Sequence, residues 1–186
     1  MEDVFKSDLL QGEKILWSGQ PDPKTLFSSA DTFMIPFSLL WGGFAFFWEA
    51  TVFFTPAPFF FKLFGIPFVL VGLYFIFGRF IYKKMRKEKT YYAVTDKRVI
   101  TLSNLFSKHI EAAFINTIPT MNKSVRGNGV GKIVFGNPNM FASWYGNTGL
   151  EFFGMYYGVN VPTFYDITEA NRVYDMVNEL RNKANQ

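Results

Sequence analysis

The chain contains no cysteine, and its only histidine is His109. The first absence excludes a disulfide scaffold, a thiolate metal site and a cysteine nucleophile. The second leaves no partner for a histidine-based metal cluster or a His-pair acid/base site. Charged residues make up 18% of the 186 positions, below the roughly 25% of an ordinary soluble domain. From Thr32 to Phe61 the only ionisable side chain is Glu49. Residues 83–89 (KKMRKEK) carry five basic groups and one acidic group, and the rest of the chain is balanced, so the net charge of +4 belongs to that short run. A basic nucleic-acid face spread over the fold is therefore not expected. Disorder throughout is excluded by the 49% hydrophobic content.

Aromatics account for 20% of the chain, and 15 of the 24 phenylalanines lie between Phe33 and Phe80. Residues 33–54 form a mostly apolar run of about 33 Å as a helix, enough to cross a hydrocarbon core of about 30 Å. Thr55-Pro56-Ala57-Pro58 ends it, because proline cannot continue a helix. Residues 63–82 supply a second run. Its single charge, Arg79, lies close enough to the end for a long side chain to snorkel to the headgroups. The short link makes the two spans an antiparallel hairpin. Ser38, Gly42 and Ala45 form a small-residue seam for close helix packing.

Some thirty polar and mixed residues precede the first run, so a cleaved signal peptide is not expected. The loop between the runs offers only Lys62, whereas Lys83, Lys84, Arg86, Lys87 and Lys89 follow the second. The excess of basic residues places that end, and with two spans the N-terminus as well, in the cytoplasm. The same five residues form a candidate membrane-surface cluster attracted to anionic lipid. The chain divides into a lead-in (1–31), a transmembrane hairpin (32–82), a basic linker (83–89) and a cytoplasmic domain (90–186).

From Thr90 the pattern turns to short strands: TYYAV (90–94), RVITLS (98–103), HIEAAFINTI (109–118), NKSVRG and GKIVFG around Asn128-Gly129, LEFFGMYYG (150–158) and PTFYDI (162–167). Ala170, Val173, Tyr174, Val177 and Leu180 then recur at helical spacing, with Asp166 or Thr168 as candidate caps. The fold expected is a two-helix membrane hairpin joined to an all-β or α+β domain of about seven antiparallel strands and a C-terminal amphipathic helix.

Two spans, then YYAVTDKRVI, then a terminal helix preceded by FYDI resemble the bacterial pleckstrin-homology-like (PH-like) membrane proteins. The lead-in GEKILWSGQPDP (12–23) is similar to the segment before the spans in that family. Gly12-Glu13, Trp17, Pro21, Thr95 and Arg98 carry the resemblance most specifically. It implies a PH-like barrel tied to the cytoplasmic membrane and no catalytic residues. Lys97 and Arg98 alone on the first hairpin do not support inositol-lipid binding.

Chemistry-bearing motifs are few. Gly127–Gly131 is glycine-rich, but a strand follows it where a dinucleotide loop needs a helix. Asp175 and Glu179 read as a solvated helix face. Asn122-Lys123-Ser124 matches a glycosylation sequon that a cytoplasmic position makes irrelevant. No base accompanies a serine or threonine in a triad pattern. No enzyme activity, cofactor, metal, nucleic acid or small-molecule substrate is expected.

The segment 138–165 contains no Lys or Arg. Alternation along the expected strand 150–158 puts Phe152, Gly154 and Tyr156 on one face and Phe153, Met155 and Tyr157 on the other, so apolar residues occupy both faces. Met140, Phe141, Trp144, Tyr145, Phe153, Met155 and Tyr157 are the candidate interaction surface. Two readings stand: cover by the chain's own segments, or contact with another subunit, a partner or the bilayer. The leading functional expectation is a non-enzymatic interaction, self-assembly or scaffolding module at the inner membrane. The alternative is a subunit of an oligomeric channel or transporter.

Overall fold

In the first apolar run, aliphatic and aromatic residues give α1 (Asp31–Phe54), with Pro36 tolerated near its start. It ends where Thr55 turns extended before Pro56, and Pro58 precedes α2 (Phe59–Leu73). A π-helical turn (Tyr74–Gly78) and α3 (Arg79–Glu88) continue the second helix, so most of the basic run is helical rather than an irregular linker. The computed structural model describes residues 1–139, 145–153 and 161–184. The chain forms two units. One comprises residues 26–83 and 144–155, the other residues 1–25, 84–143 and 156–186.

In the hairpin unit, Ser38, Gly42 and Ala45 are the buried small residues of α1, as the spacing predicts. Gly72 lies against Gly42, where an added Cβ would come within 3.1 Å of the Gly42 Cα. A side chain at Gly72 would press the two helix backbones apart by a few tenths of an ångström, and one at Gly42 would displace the Ile76 side chain. Most large side chains of α1 and α2 instead point outward. Leu40, Phe47 and Phe54 are 75%, 72% and 85% exposed. Helix α1 and the continuous helix Phe59–Glu88 are long and apolar enough to cross a membrane.

The second unit contains two antiparallel sheets. The first has the order β1 (Ile15–Gly19), β2 (Thr90–Thr95), β3 (Arg98–Asn104), β4 (Lys108–Phe114). The second has the order β5 (Met121–Val125), β6 (Gly131–Phe135), β7 (Thr163–Ile167). Strand alternation decides the core. Tyr92, Val94 and Val99 join Ile133, Phe135 and Phe164 from the second sheet. Ala170, Val173 and Val177 of helix α4 (Ala170–Ala184) belong to the same cluster. The opposite side chains of the first sheet, Ala93, Ile100 and Leu102, pack against Phe5 from the N-terminal segment. The β2–β3 ribbon is thus covered on both faces.

Three expectations change. The lead-in supplies β1, a strand that its mixed composition did not announce. It pairs with β2, Trp17 opposite Val94. Leu150–Phe153 is a 3₁₀ turn rather than the start of a strand; residues 154–158 of that expected strand lie outside the described residues. Asp166 does not serve α4 as a cap. It has a left-handed φ of +52°, and its carboxylate meets Lys87 and Arg126 instead. The Asn128-Gly129 hairpin is present, with Gly129 at φ +80° and its N–H donating to the Arg126 carbonyl at 2.9 Å.

Candidate functional site

Helix α3 decides where the basic residues go. Arg79, Lys83 and Lys87 recur every four positions and so lie on one helical face. All three are buried, at 1%, 2% and 4% exposure. The five-residue cluster expected at the membrane surface therefore divides. Lys84 and Lys89 are exposed and Arg86 is half-buried, whereas Lys83 and Lys87 are internal. Arg79 does not snorkel outward either. A buried cation needs a partner, and each of these has one.

Within the hairpin unit that partner is Asp31, the first residue of α1. Its Oδ2 accepts hydrogen bonds from the Ser28 backbone N–H at 2.6 Å and the Ser28 hydroxyl at 2.8 Å. Arg79 Nη1 donates to its Oδ1, and Lys83 Nζ lies 3.5 Å from Oδ2. Lys83 also donates to the Leu26 carbonyl at 2.5 Å, and Arg79 Nε to the Phe75 carbonyl at 2.8 Å.

Within the sheet unit, Lys87 Nζ donates to Asp166 Oδ2 at 2.6 Å, to the Asp22 carbonyl at 3.2 Å and to the Thr25 carbonyl. Arg126 lies 3.5 Å from Asp166 Oδ1. Lys132 Nζ sits 4.9 Å from the Tyr165 ring centroid. Burial pushes the Lys132 ammonium below its ordinary pKa, and the Asp166 charge opposes that only in part.

The residues that carry the family resemblance make a second buried cluster in this unit. Glu13 Oε1 accepts from Arg98 Nε at 2.9 Å and from the Thr95 hydroxyl at 2.7 Å. Its Oε2 accepts from Arg98 Nη2 at 3.0 Å and the Leu10 N–H at 2.7 Å. Gly12, at φ +73°, turns the chain into this contact. Burial raises the Glu13 pKa, but hydrogen bonds from Arg98, Leu10 and Thr95 outweigh it and hold the carboxyl below its usual range. Trp17 stacks on Phe164 at 5.8 Å. Glu13, Thr95, Arg98 and Trp17 thus fasten the lead-in to the sheet.

Of the candidate aromatic surface, Met140, Phe141, Trp144, Met155 and Tyr157 lie outside the described residues. Phe153 is met by the chain's own Tyr74 and Phe75, at ring separations of 5.0 and 6.1 Å. Phe152, placed on the opposite face by a strand reading, packs on Tyr74 as well, at 5.3 Å, because a 3₁₀ turn does not alternate. The Tyr74 hydroxyl donates to the Gly149 carbonyl at 2.5 Å. Tyr145 lines a cleft beside Arg79.

Sequence reasoning missed the roles of Asp31 and Asp166. An aspartate opening an apolar run was the available signal for the first. Among the described residues no group of three or more His, Asp or Glu is placed to hold a metal ion. Comparison with known protein families, with curated proteins and with solved structures finds no match.

Proposed function

We propose that the chain is a two-span inner-membrane protein of PH-like type, whose sheet unit works at the cytoplasmic surface as a non-enzymatic interaction or scaffolding module. One observation carries the membrane reading. Only 17% and 11% of the most apolar stretches of the two long helices are buried by the rest of the chain. A core helix of a soluble protein buries most of such a stretch. Outward phenylalanine and leucine along both helices instead suit a hydrocarbon surrounding.

The pairing of β1 with β2 supports an even number of crossings. The first strand precedes α1 and the second follows α3, which favours both ends of the hairpin on one side of the bilayer. The basic run after the second helix favours the cytoplasm for that side. The two antiparallel sheets and the α4 helix over their shared core support the PH-like assignment, with the difference that one edge strand comes from the lead-in. Anchoring confines the sheet unit to a surface and raises its effective concentration towards other membrane proteins.

The test combines two measurements. Alkaline carbonate should leave the protein in the membrane pellet, and release into the supernatant would defeat the anchoring. Protease should digest the sheet unit in inverted vesicles but not in intact spheroplasts. Crosslinking in native membranes should then capture a membrane protein or a second copy of the chain. A solute flux in vesicles containing the purified protein would favour the channel alternative instead.

A further inference from the structure

Glu49 is the only ionisable residue between Thr32 and Phe61. Its Oε2 is buried and has no hydrogen-bond partner among the described residues. A buried carboxylate oxygen without a donor is uncommon enough to require an account. Lys62 is the nearest basic residue in sequence, but its Nζ lies 5.3 Å from the Phe53 ring centroid instead. Gly65 of α2 fixes the place of the carboxylate. Glu49 Oε2 and Trp48 Cζ3 both occupy the space that a Cβ at Gly65 would take, Trp48 at 2.6 Å. Only glycine leaves room there for the two side chains.

Trp48 and Phe64, the chain neighbours of Glu49 and Gly65, are also walls of a pocket of about 160 Å³ within the hairpin unit. Trp41, Phe44, Ala45 and Phe68 complete it, so all its described walls but Ala45 are aromatic. Trp48 meets Phe64 edge-on at 6.5 Å, and Phe64 meets Phe68 at 5.4 Å. A cavity of about this volume accepts a benzene-sized group. Two features select the charge of an occupant. Aromatic faces are negative and attract cations. The Glu49 carboxylate at the edge of the pocket does the same, and away from water that attraction is stronger than in solution. Both features repel an anion.

We infer that this pocket binds one lipophilic ammonium ion, its alkylated nitrogen among the aromatic rings and the Glu49 carboxylate as counter-charge and hydrogen-bond acceptor. The rings replace the water that the cation gives up, and the carboxylate gains the donor it lacks. The site goes beyond the interaction or scaffolding role proposed above and does not depend on it.

Titrations of the full chain in nonionic detergent at neutral pH test it, followed by tryptophan fluorescence because Trp41 and Trp48 line the pocket. The probes are N,N-dimethylbenzylamine, which is protonated at that pH, its uncharged isostere isobutylbenzene, and phenylacetate. The amine should reach half-saturation at about tenfold lower concentration than isobutylbenzene, the scale of a desolvated cation held by aromatic faces and a carboxylate. Phenylacetate should not saturate. Glu49→Gln removes the charge and keeps the shape. It should raise the amine's half-saturation about tenfold and leave that of isobutylbenzene unchanged. Phe68→Leu removes one aromatic face and should cut the amine's advantage over isobutylbenzene about threefold. Should Glu49→Gln fail to fold, Phe68→Leu decides. Equal half-saturation by the amine and its isostere, saturation by phenylacetate, or an unchanged preference in either folded variant would overturn the site. The membrane reading fails separately, through carbonate extraction of the unmodified protein.

Discussion

The two units use the same apolar residues in opposite directions. In the sheet unit, Tyr92, Ile133, Phe164 and Val173 are buried to within 1% exposure. In the hairpin, Leu40, Phe47 and Phe54 face outward, whereas Asp31, Ser38 and Arg79 are inside. Water explains the first arrangement, since removing apolar surface from it drives folding. It does not explain the second. With hydrocarbon outside, burying leucine brings no gain, and packing between helices falls to small residues and polar contacts. Gly42 against Gly72 and Asp31 with Arg79 supply those two. On the membrane reading proposed above, burial follows the solvent each unit meets rather than residue type.

The largest effect is expected from Asp31→Ala, which would leave Arg79 and Lys83 buried without their counter-charge. Breaking a buried pair in this way costs about 3–5 kcal/mol, enough to remove most folded protein from detergent extracts judged by gel filtration. Next comes a matched pair of substitutions that addresses the contrast directly. Leu40 and Phe106 are equally exposed, at 75% and 76%. Leu40→Arg should cost about 2–3 kcal/mol if hydrocarbon surrounds α1, whereas Phe106→Arg should change stability by no more than about 0.5 kcal/mol. Equal small effects in thermal melts of the two variants would erase the contrast.

Smaller effects belong to the sheet unit. Gly131 faces the Ala170 side chain so closely that an added Cβ cannot fit unless α4 shifts. Gly131→Ala should lower stability by about 1–3 kcal/mol, an overpacking cost, read from denaturant unfolding. Glu13 supplies a pH signature. Its folded pKa lies below its ordinary 4.5, so its contribution is complete above that value and is lost as pH falls through the lower folded one. Melting temperature should therefore drop in that acidic window, and Glu13→Gln, already less stable at neutral pH, should show a shallower drop.

How much of this was legible in the chain depends on the reach of each signal. The helices were readable because charge is missing over a long run and because Pro56 and Pro58 punctuate it. Most strands were readable from alternation, as in Tyr92, Val94 and Val99. The short β1 escaped because Leu16-Trp17-Ser18 hardly alternates and its pairing partner is more than seventy residues away. Leu150–Phe153 was misread because a continuous apolar run suits a strand or a helical turn equally. The ion pairs escaped for the plainest reason. Asp31 and Arg79 are 48 positions apart, and Lys87 and Asp166 79 apart, and nothing in a pattern of charges says which will meet.

The union of β1 with β2 also sets an order of events at the ribosome. Ile15–Gly19 emerges early, but its hydrogen-bonding neighbour is translated only after both greasy helices. Phe5 waits equally long for Ile100 and Leu102. During that interval β1 and Phe5 must wait without their partners. In the proposed membrane topology, a hairpin threaded the wrong way would strand them permanently from the sheet they complete.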